Sequence, residues 1–193
     1  MLTENETYET YDKILRTARS YGADCRKSSI VQKAFKDKKR NVFFRRVNLP
    51  VSKQPVIYQY HRNGKSLPYR TFLVVEGSEG ESFVGSVFDG KYYEVIHSHA
   101  INRYIERRGF NGTLNEAQIN IFEGLNYYYV TNDYTDDTDY IYFDGGVFLC
   151  NMKDNVIHLR TFIMNRQCYP NQRILSLESE NGIKLFKKEL EID

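Results

Sequence analysis

The stretch HSHAINRYIERRGF, residues 97–110, decides how the chain is read. It holds two of the four histidines and three arginines, set among apolar residues at helical spacing. Wound as a helix, it puts Ile101, Tyr104 and Ile105 on one side and His99, Arg103 and Glu106 on the other, with Asn102 and Arg107 flanking. Ser98 stands at the N-cap position and Gly109 at the stop, so His97 ends the preceding strand. An imidazole that titrates near neutrality takes or gives a proton. Guanidinium groups hold phosphate bidentately, and the free N–H groups of a first helical turn also favour anions. Metal-independent RNA cleavage, in which the 2′-hydroxyl attacks the adjacent phosphate, needs those functions. An ordinary solvated helix face carries the same residue types, because charged pairs three or four apart are common.

Upstream, Thr3 and Glu6 read as a capping box opening a helix through Tyr8, Tyr11, Leu15 and Ala18, with Gly22 as its stop. A second helix is expected from about Ser29 to Lys39, with Ile30, Val31, Ala34 and Phe35 as its apolar side. From residue 41 the pattern turns to β-branched and aromatic runs: NVFFRRVNL, PVIYQYH, YRTFLVVEG, ESFVGSVF and KYYEVIH, separated by turn residues. These predict an antiparallel meander. Downstream, Thr113 and Glu116 form another capping box before Leu114, Ala117, Ile121 and Leu125. Four strands follow in YYYVT, DYIYF, GVFLC and VIHLRTFI, with turns at Asp144-Gly145-Gly146 and at KDN. In the tail, Asn181-Gly182 argues for a hairpin while Ile183, Phe186 and Leu190 fit a short helix. A soft boundary near residue 95 divides an N-terminal helical and β-meander region, 1–95, from an α+β domain with a tail, 96–193.

The order Ser98-His99-Ala100-Ile101-Asn102-Arg103-Tyr104-Ile105-Glu106-Arg107-Arg108-Gly109 resembles the S-x-H-A-x-x-R-x-x-E-R-G signature of a family of small domains related to the BrnT toxins. Here the serine directly precedes the histidine. The resemblance covers about residues 95–165. It implies the fold shared by barnase, RelE and the colicin-type ribonucleases: two helices, then a four-stranded antiparallel sheet whose last strand carries Thr161. It further implies a toxin-like ribonuclease that needs no cofactor or metal, acting on RNA and held by a cognate inhibitor protein. His99 and Arg103 would lead, with Arg107 and Thr161 beside them, and Arg160, His158 and Arg108 contacting substrate. In a regular strand His158 and Arg160 share one face and Thr161 points to the other, so Arg160 and Thr161 do not serve one site together. The alternative is a non-catalytic nucleic-acid- or protein-binding module of the same fold.

Charge is unevenly spread. Residues 1–95 carry 17 Lys and Arg against 11 Asp and Glu, whereas the rest carries 10 against 14. The basic excess lies in 25–46, where it attracts phosphate or simply solubilises a face. The acidic loop TNDYTDDTD repels RNA, and Asp133, Asp136, Asp137 and Asp139 lack the glycine and closing glutamate of a calcium loop. His97 and His99 have no third metal ligand at a recognisable spacing. EGSEGE, 76–81, reads as an acidic hairpin loop, and Tyr127, Tyr128, Tyr129, Tyr140 and Tyr142 as cross-strand packing or base-stacking residues. No run approaches the roughly 20 apolar residues of a membrane span. No leader is visible, and the three scattered cysteines Cys25, Cys150 and Cys168 read as reduced thiols in a cytoplasmic protein. No feature specifies an oligomeric state.

Overall fold

A computed structural model describes residues 1–63, 67–87, 91–112, 114, 117–118, 120–121, 130–133, 138–143, 145–170, 173–174, 177 and 181. Three α-helices stand among them: α1 (Tyr8–Arg26), α2 (Ser29–Ala34) and α3 (Ser98–Arg108). The strands are β1 (Val42–Asn48), β2 (Pro55–His61), β3 (Tyr69–Gly77), β4 (Gly80–Val87), β5 (Tyr92–Ile96), β6 (Val130–Asp133), β7 (Thr138–Phe143), β8 (Gly146–Lys153) and β9 (Val156–Met164).

The strand order is β1-β2-β3-β4-β5-β9-β8-β7-β6 in one nine-stranded sheet. This overturns the expectation of a self-contained, four-stranded antiparallel sheet of the RelE type. The pairs β1–β2, β2–β3, β6–β7 and β7–β8 are antiparallel. Beside β5, however, the Tyr93 N–H donates to the Asn155 carbonyl and the His97 N–H to that of Leu159. Both partners advance along the chain together, which is parallel pairing and makes the sheet mixed. The physical reason is the edge of β9: its backbone groups need partners, and β5 supplies them. The second helix of the expected pair falls largely outside the described residues, although Ala117 and Ile121 are buried. Tyr127, Tyr128, Tyr129 and most of the tail also lie outside them.

The chain divides into two compact units, the first being Met1–Gly77, Glu81–Val95 and Asp154–Val156. In it, Tyr11, Leu15 and Ala18 of α1 pack on Val56, Tyr58, Tyr60, Leu73, Val75, Val84, Tyr93 and Val95, all fully buried. The alternation in β2 and β3 explains the choice, since residues two apart share the face toward the helix. Two of these tyrosines tie the sheet to α1 through their hydroxyls. Tyr58 donates to the Ala18 carbonyl at 2.6 Å, and Tyr93 to Asp12 Oδ1 at 2.6 Å.

Three local expectations are corrected here. The Thr3–Glu6 bond forms, with Thr3 N–H donating to Glu6 Oε1 at 3.2 Å, but it does not start α1. The backbone of Leu2 and Glu4 is already spent on Glu76 of β3, so the helix begins after Thr7, whose hydroxyl oxygen accepts from the Thr10 N–H. Gly22 does not stop α1, which continues to Arg26. It lies where Tyr58 and Tyr69 cross the helix, and a Cβ there would stand 2.5 Å from Tyr58 Cε1 and 2.7 Å from Tyr69 Cε2. Finally, α2 ends at Ala34, and beyond it the carbonyls of Phe35, Asp37 and Arg40 accept from the Arg62 guanidinium. Ile30 is exposed and Val31 and Phe35 are buried, while Lys36–Arg40 lie in solvent.

The second unit comprises Ser78–Gly80, Ile96–Lys153 and Ile157–Asp193. Tyr104 of α3 is its hub, with ring centroids 5.5 Å from Phe143 and 5.2 Å from Phe162. Phe148 extends the cluster, 5.1 Å from Phe162. Ala100, Ile101 and Tyr104 form the buried stripe, whereas Ile105 is only half-buried. Gly109 closes α3 in the left-handed region at φ 60°, which a glycine adopts without strain. No helix among the described residues is long and apolar enough to cross a membrane.

Substituting Gly22→Ala should destabilise the protein by about 1–3 kcal/mol through overpacking against two rings. Urea unfolding at 25 °C measures it; a stability equal to wild type would refute the close approach.

Candidate functional site

Helix α3 starts one residue earlier than Ser98 would allow as a cap. His97 is the N-cap residue, and Ser98 is the first helical residue. The Ser98 side chain is buried and does other work: its Oγ accepts the main-chain N–H of Glu79 at 3.0 Å. Ser78–Gly80, the turn between β3 and β4, is thereby pinned against the start of α3. The backbone of Glu79 is fixed, and its carboxylate is carried to the polar face of the helix.

There His99 Nδ1 and Glu79 Oε1 are 2.7 Å apart. Asn102 Nδ2 donates to Glu79 Oε2 at 3.2 Å, so each carboxylate oxygen has its own partner. The Glu79 carboxyl is held below the ordinary range, first by the His99 bond and then by that from Asn102. The carboxylate accepts from the ring N–H at Nδ1, on a side chain 35% exposed. Arg103 lies one turn on and donates to Glu106 Oε2 at 2.6 Å.

The other candidate residues divide between different settings. Arg107 donates to the main-chain carbonyl of Phe162, fastening the last turn of α3 to β9. Arg108 is exposed. His158 is buried and faces His97, with His97 Nε2 3.0 Å from His158 Nδ1. Arg160 is exposed and donates from Nε to Asn151 Oδ1 at 3.2 Å. Thr161 is half-buried on the strand face opposite Phe162, and Phe162 is the residue that meets Tyr104. The structure therefore brings together His99, Glu79 and Asn102, with Arg103 adjacent. His99 bonds no side chain of β9.

The two histidines of His97-x-His99 part company, one buried on His158 and one half-buried on Glu79. Among the described residues no three His, Cys, Asp or Glu side chains gather in a form that could hold a metal. None of Cys25, Cys150 and Cys168 forms a disulfide, and burial pushes the thiol of Cys168 up, away from the reactive thiolate. Tyr140 is fully buried and Tyr142 half-buried. Asp136 and Asp137 lie outside the described residues. No protein-family model, no curated protein and no solved structure matches the chain.

Sequence reasoning missed Glu79, which reads as one carboxylate of an acidic hairpin loop. Its only local signal is its place in a tight turn after a strong strand. Folded, Glu79 binds its proton less readily than in the unfolded chain. Its pairing therefore stabilises the fold above the ordinary glutamate value of about 4.3, and that contribution is lost as pH falls through the Glu79 midpoint. An NMR titration should place this midpoint below that of ordinary glutamates, and His99→Ala should move it upward. An unmoved midpoint would show that His99 is not the partner.

Proposed function

We propose that the chain is an acid–base catalyst of metal-independent RNA cleavage, with His99 as the proton-transfer group. The observation that carries this reading is the 2.7 Å contact between His99 Nδ1 and Glu79 Oε1 on an open helix face. A carboxylate on one ring nitrogen selects the tautomer and leaves the other nitrogen directed at a substrate. In the proposed step Nε2 takes the proton of a 2′-hydroxyl as that oxygen bonds to phosphorus. The P–O5′ bond breaks, and the leaving 5′-oxygen takes its proton from solvent water. Glu79 and Asn102 are positioning residues. Arg103 reaches the phosphate by exchanging its exposed Glu106 partner, a swap of small cost because such pairs contribute only about 0.3–0.5 kcal/mol.

A second reading, a non-catalytic binding module, is favoured by one observation. The guanidinium groups of Arg103 and Arg107 are both engaged within the protein, on Glu106 and on the Phe162 carbonyl.

Purified protein incubated with end-labelled RNA in chelator-treated buffer should yield 2′,3′-cyclic phosphate ends. His99→Ala should lower the rate by about 10²–10⁴-fold. Glu79→Gln should reduce it less and displace the pH profile. Cleavage undiminished in His99→Ala would sink the assignment, and intact RNA bound in a salt-sensitive manner would establish the module instead.

A further inference from the structure

Residues 33–40 of the first unit run from the end of α2 through the turn that precedes β1. Five of these eight residues are Lys33, Lys36, Lys38, Lys39 and Arg40, against one acid, Asp37. All six side chains are exposed. Like charges at this density repel one another and favour an open, extended chain. The fold instead holds them on a closed turn. The Arg62 guanidinium, just past the end of β2, donates to the carbonyls of Phe35 at 2.5 Å, Asp37 at 3.0 Å and Arg40 at 3.2 Å. Its rigid fork of donors suits acceptors that converge from one turn. Inside the turn, the Lys36 N–H donates to the Lys33 carbonyl and the Arg40 N–H to the Asp37 carbonyl, both at 3.1 Å.

Three features distinguish this turn from an ordinary solvated lysine run. Its single carboxylate is engaged within the turn, Asp37 Oδ1 accepting the main-chain N–H of Lys39 at 3.0 Å. Among the described residues, none of the four lysines makes an ion pair, and Arg40 packs 6.0 Å from the centroid of the Phe43 ring rather than on an acid. Lastly, the carbonyl oxygens of residues 35, 37 and 40, which would otherwise offset the lysines, are held on Arg62. The turn is therefore a fixed frame that carries positive charge, and a polyanion relieves the repulsion built into it.

We propose that the turn of residues 33–40 is a docking surface for the phosphate backbone of RNA. The proposal rests on the reading of RNA as substrate and adds a hold on the polymer that does not depend on its sequence. Lysine suits this task, because an ammonium meets a phosphate as a compact point charge on a flexible stem. Protein partners fit the surface less well, since lysine is depleted from protein interfaces, which centre on apolar and arginine anchors. Phe35, the one large apolar side chain of the segment, is buried, with the Arg62 guanidinium 5.4 Å from its ring centroid. The segment thus presents no large apolar group to insert into a lipid surface or to fill a partner's pocket.

The test is the salt dependence of binding of a labelled single-stranded oligouridylate to the full chain carrying His99→Ala and Arg103→Ala, so that contacts at α3 are not read. Each phosphate contact contributes about −0.7 to the slope of log affinity against log salt. Lys36→Gln, Lys38→Gln and Lys39→Gln together should make that slope shallower by about 2 and weaken binding at least about tenfold at low salt. All three side chains are exposed, so this variant should melt with its parent. Lys13→Gln, Lys53→Gln and Lys153→Gln remove the same charge from exposed positions elsewhere and should leave the slope in place. A slope moved equally by both triple variants, or by neither, would overturn the proposal. So would tighter binding of polyglutamate or of phosphatidylserine vesicles than of the RNA. Cleavage that depends on His99, with a slope unmoved by the turn variant, overturns the docking surface and leaves the proposed function standing; a slope moved in a chain that cuts nothing supports the docking surface alone.

Discussion

The hydrogen bond from the Glu79 N–H to Ser98 Oγ, 3.0 Å long, joins a turn to a helix that follows it by 19 residues, and the candidate site depends on it. A turn between antiparallel strands is ordinarily the least constrained part of a meander. Here its amide is captured by a buried hydroxyl, and Asn102 adds bonds to both the Glu79 carbonyl and its carboxylate. Glu79 thus approaches His99 with its backbone already ordered, so the pair forms without a further loss of backbone entropy. Preorganisation of this kind separates an orienting carboxylate from a passing surface charge. Ser98 reads as a helix cap from sequence, yet in the fold it accepts a bond from another part of the chain.

In the first unit a comparable constraint acts through tyrosine. Tyr58 and Tyr69 deliver their hydroxyls to consecutive carbonyls of α1, those of Ala18 and Arg19. Each carbonyl already belongs to the helix, and its second lone pair takes the tyrosine. The rings must come very close to the helix to reach, which excludes a side chain at position 22. A glycine that weakens the helix locally is thus what lets the helix lie on an aromatic sheet face, and burial of two large rings outweighs the roughly 1 kcal/mol lost in propensity.

What was legible follows from the range of the forces involved. β2 and β3 appear where alternation and flanking turn residues put them, because period two and turn chemistry are local properties. Gly109, ending α3, and the left-handed Asp154 and Asn155 between β8 and β9 are local in the same way. The failures all involve a distant partner. Thr3 and Glu6 have the pattern of a cap, but Glu76 claims the adjoining backbone. Gly22 has the pattern of a stop, but Tyr58 and Tyr69 require it inside the helix. The four C-terminal strands have the pattern of an independent sheet, but the open edge of β9 takes β5. Of the site, the helix face with His99 and Arg103 was legible from spacing, whereas Glu79 was not. Its 20-residue separation from His99 carries no periodic signal.

Arg103 and Arg107 of α3 are chemically unequal, and this ranks them for the proposed reaction. Arg107 donates to a main-chain carbonyl from a half-buried position. Withdrawing it would leave the Phe162 oxygen short of a partner and loosen the helix from the sheet, so ligand binding gains nothing by releasing it. Arg103 is paired with a neighbour on its own helix, and both side chains are substantially exposed. Glu106 can return to water at little cost, and a phosphate offers Arg103 a charge-assisted bidentate partner in exchange. Glu79 imposes the opposite constraint. It is a carboxylate beside the place where a phosphate would sit, and it repels that phosphate unless its charge is largely shared with the imidazole. On this account Arg103 is the arginine whose partner an anion can replace, Arg107 holds the helix that carries it, and the proposed function asks the Glu79 bond to make an anionic substrate tolerable at the imidazole.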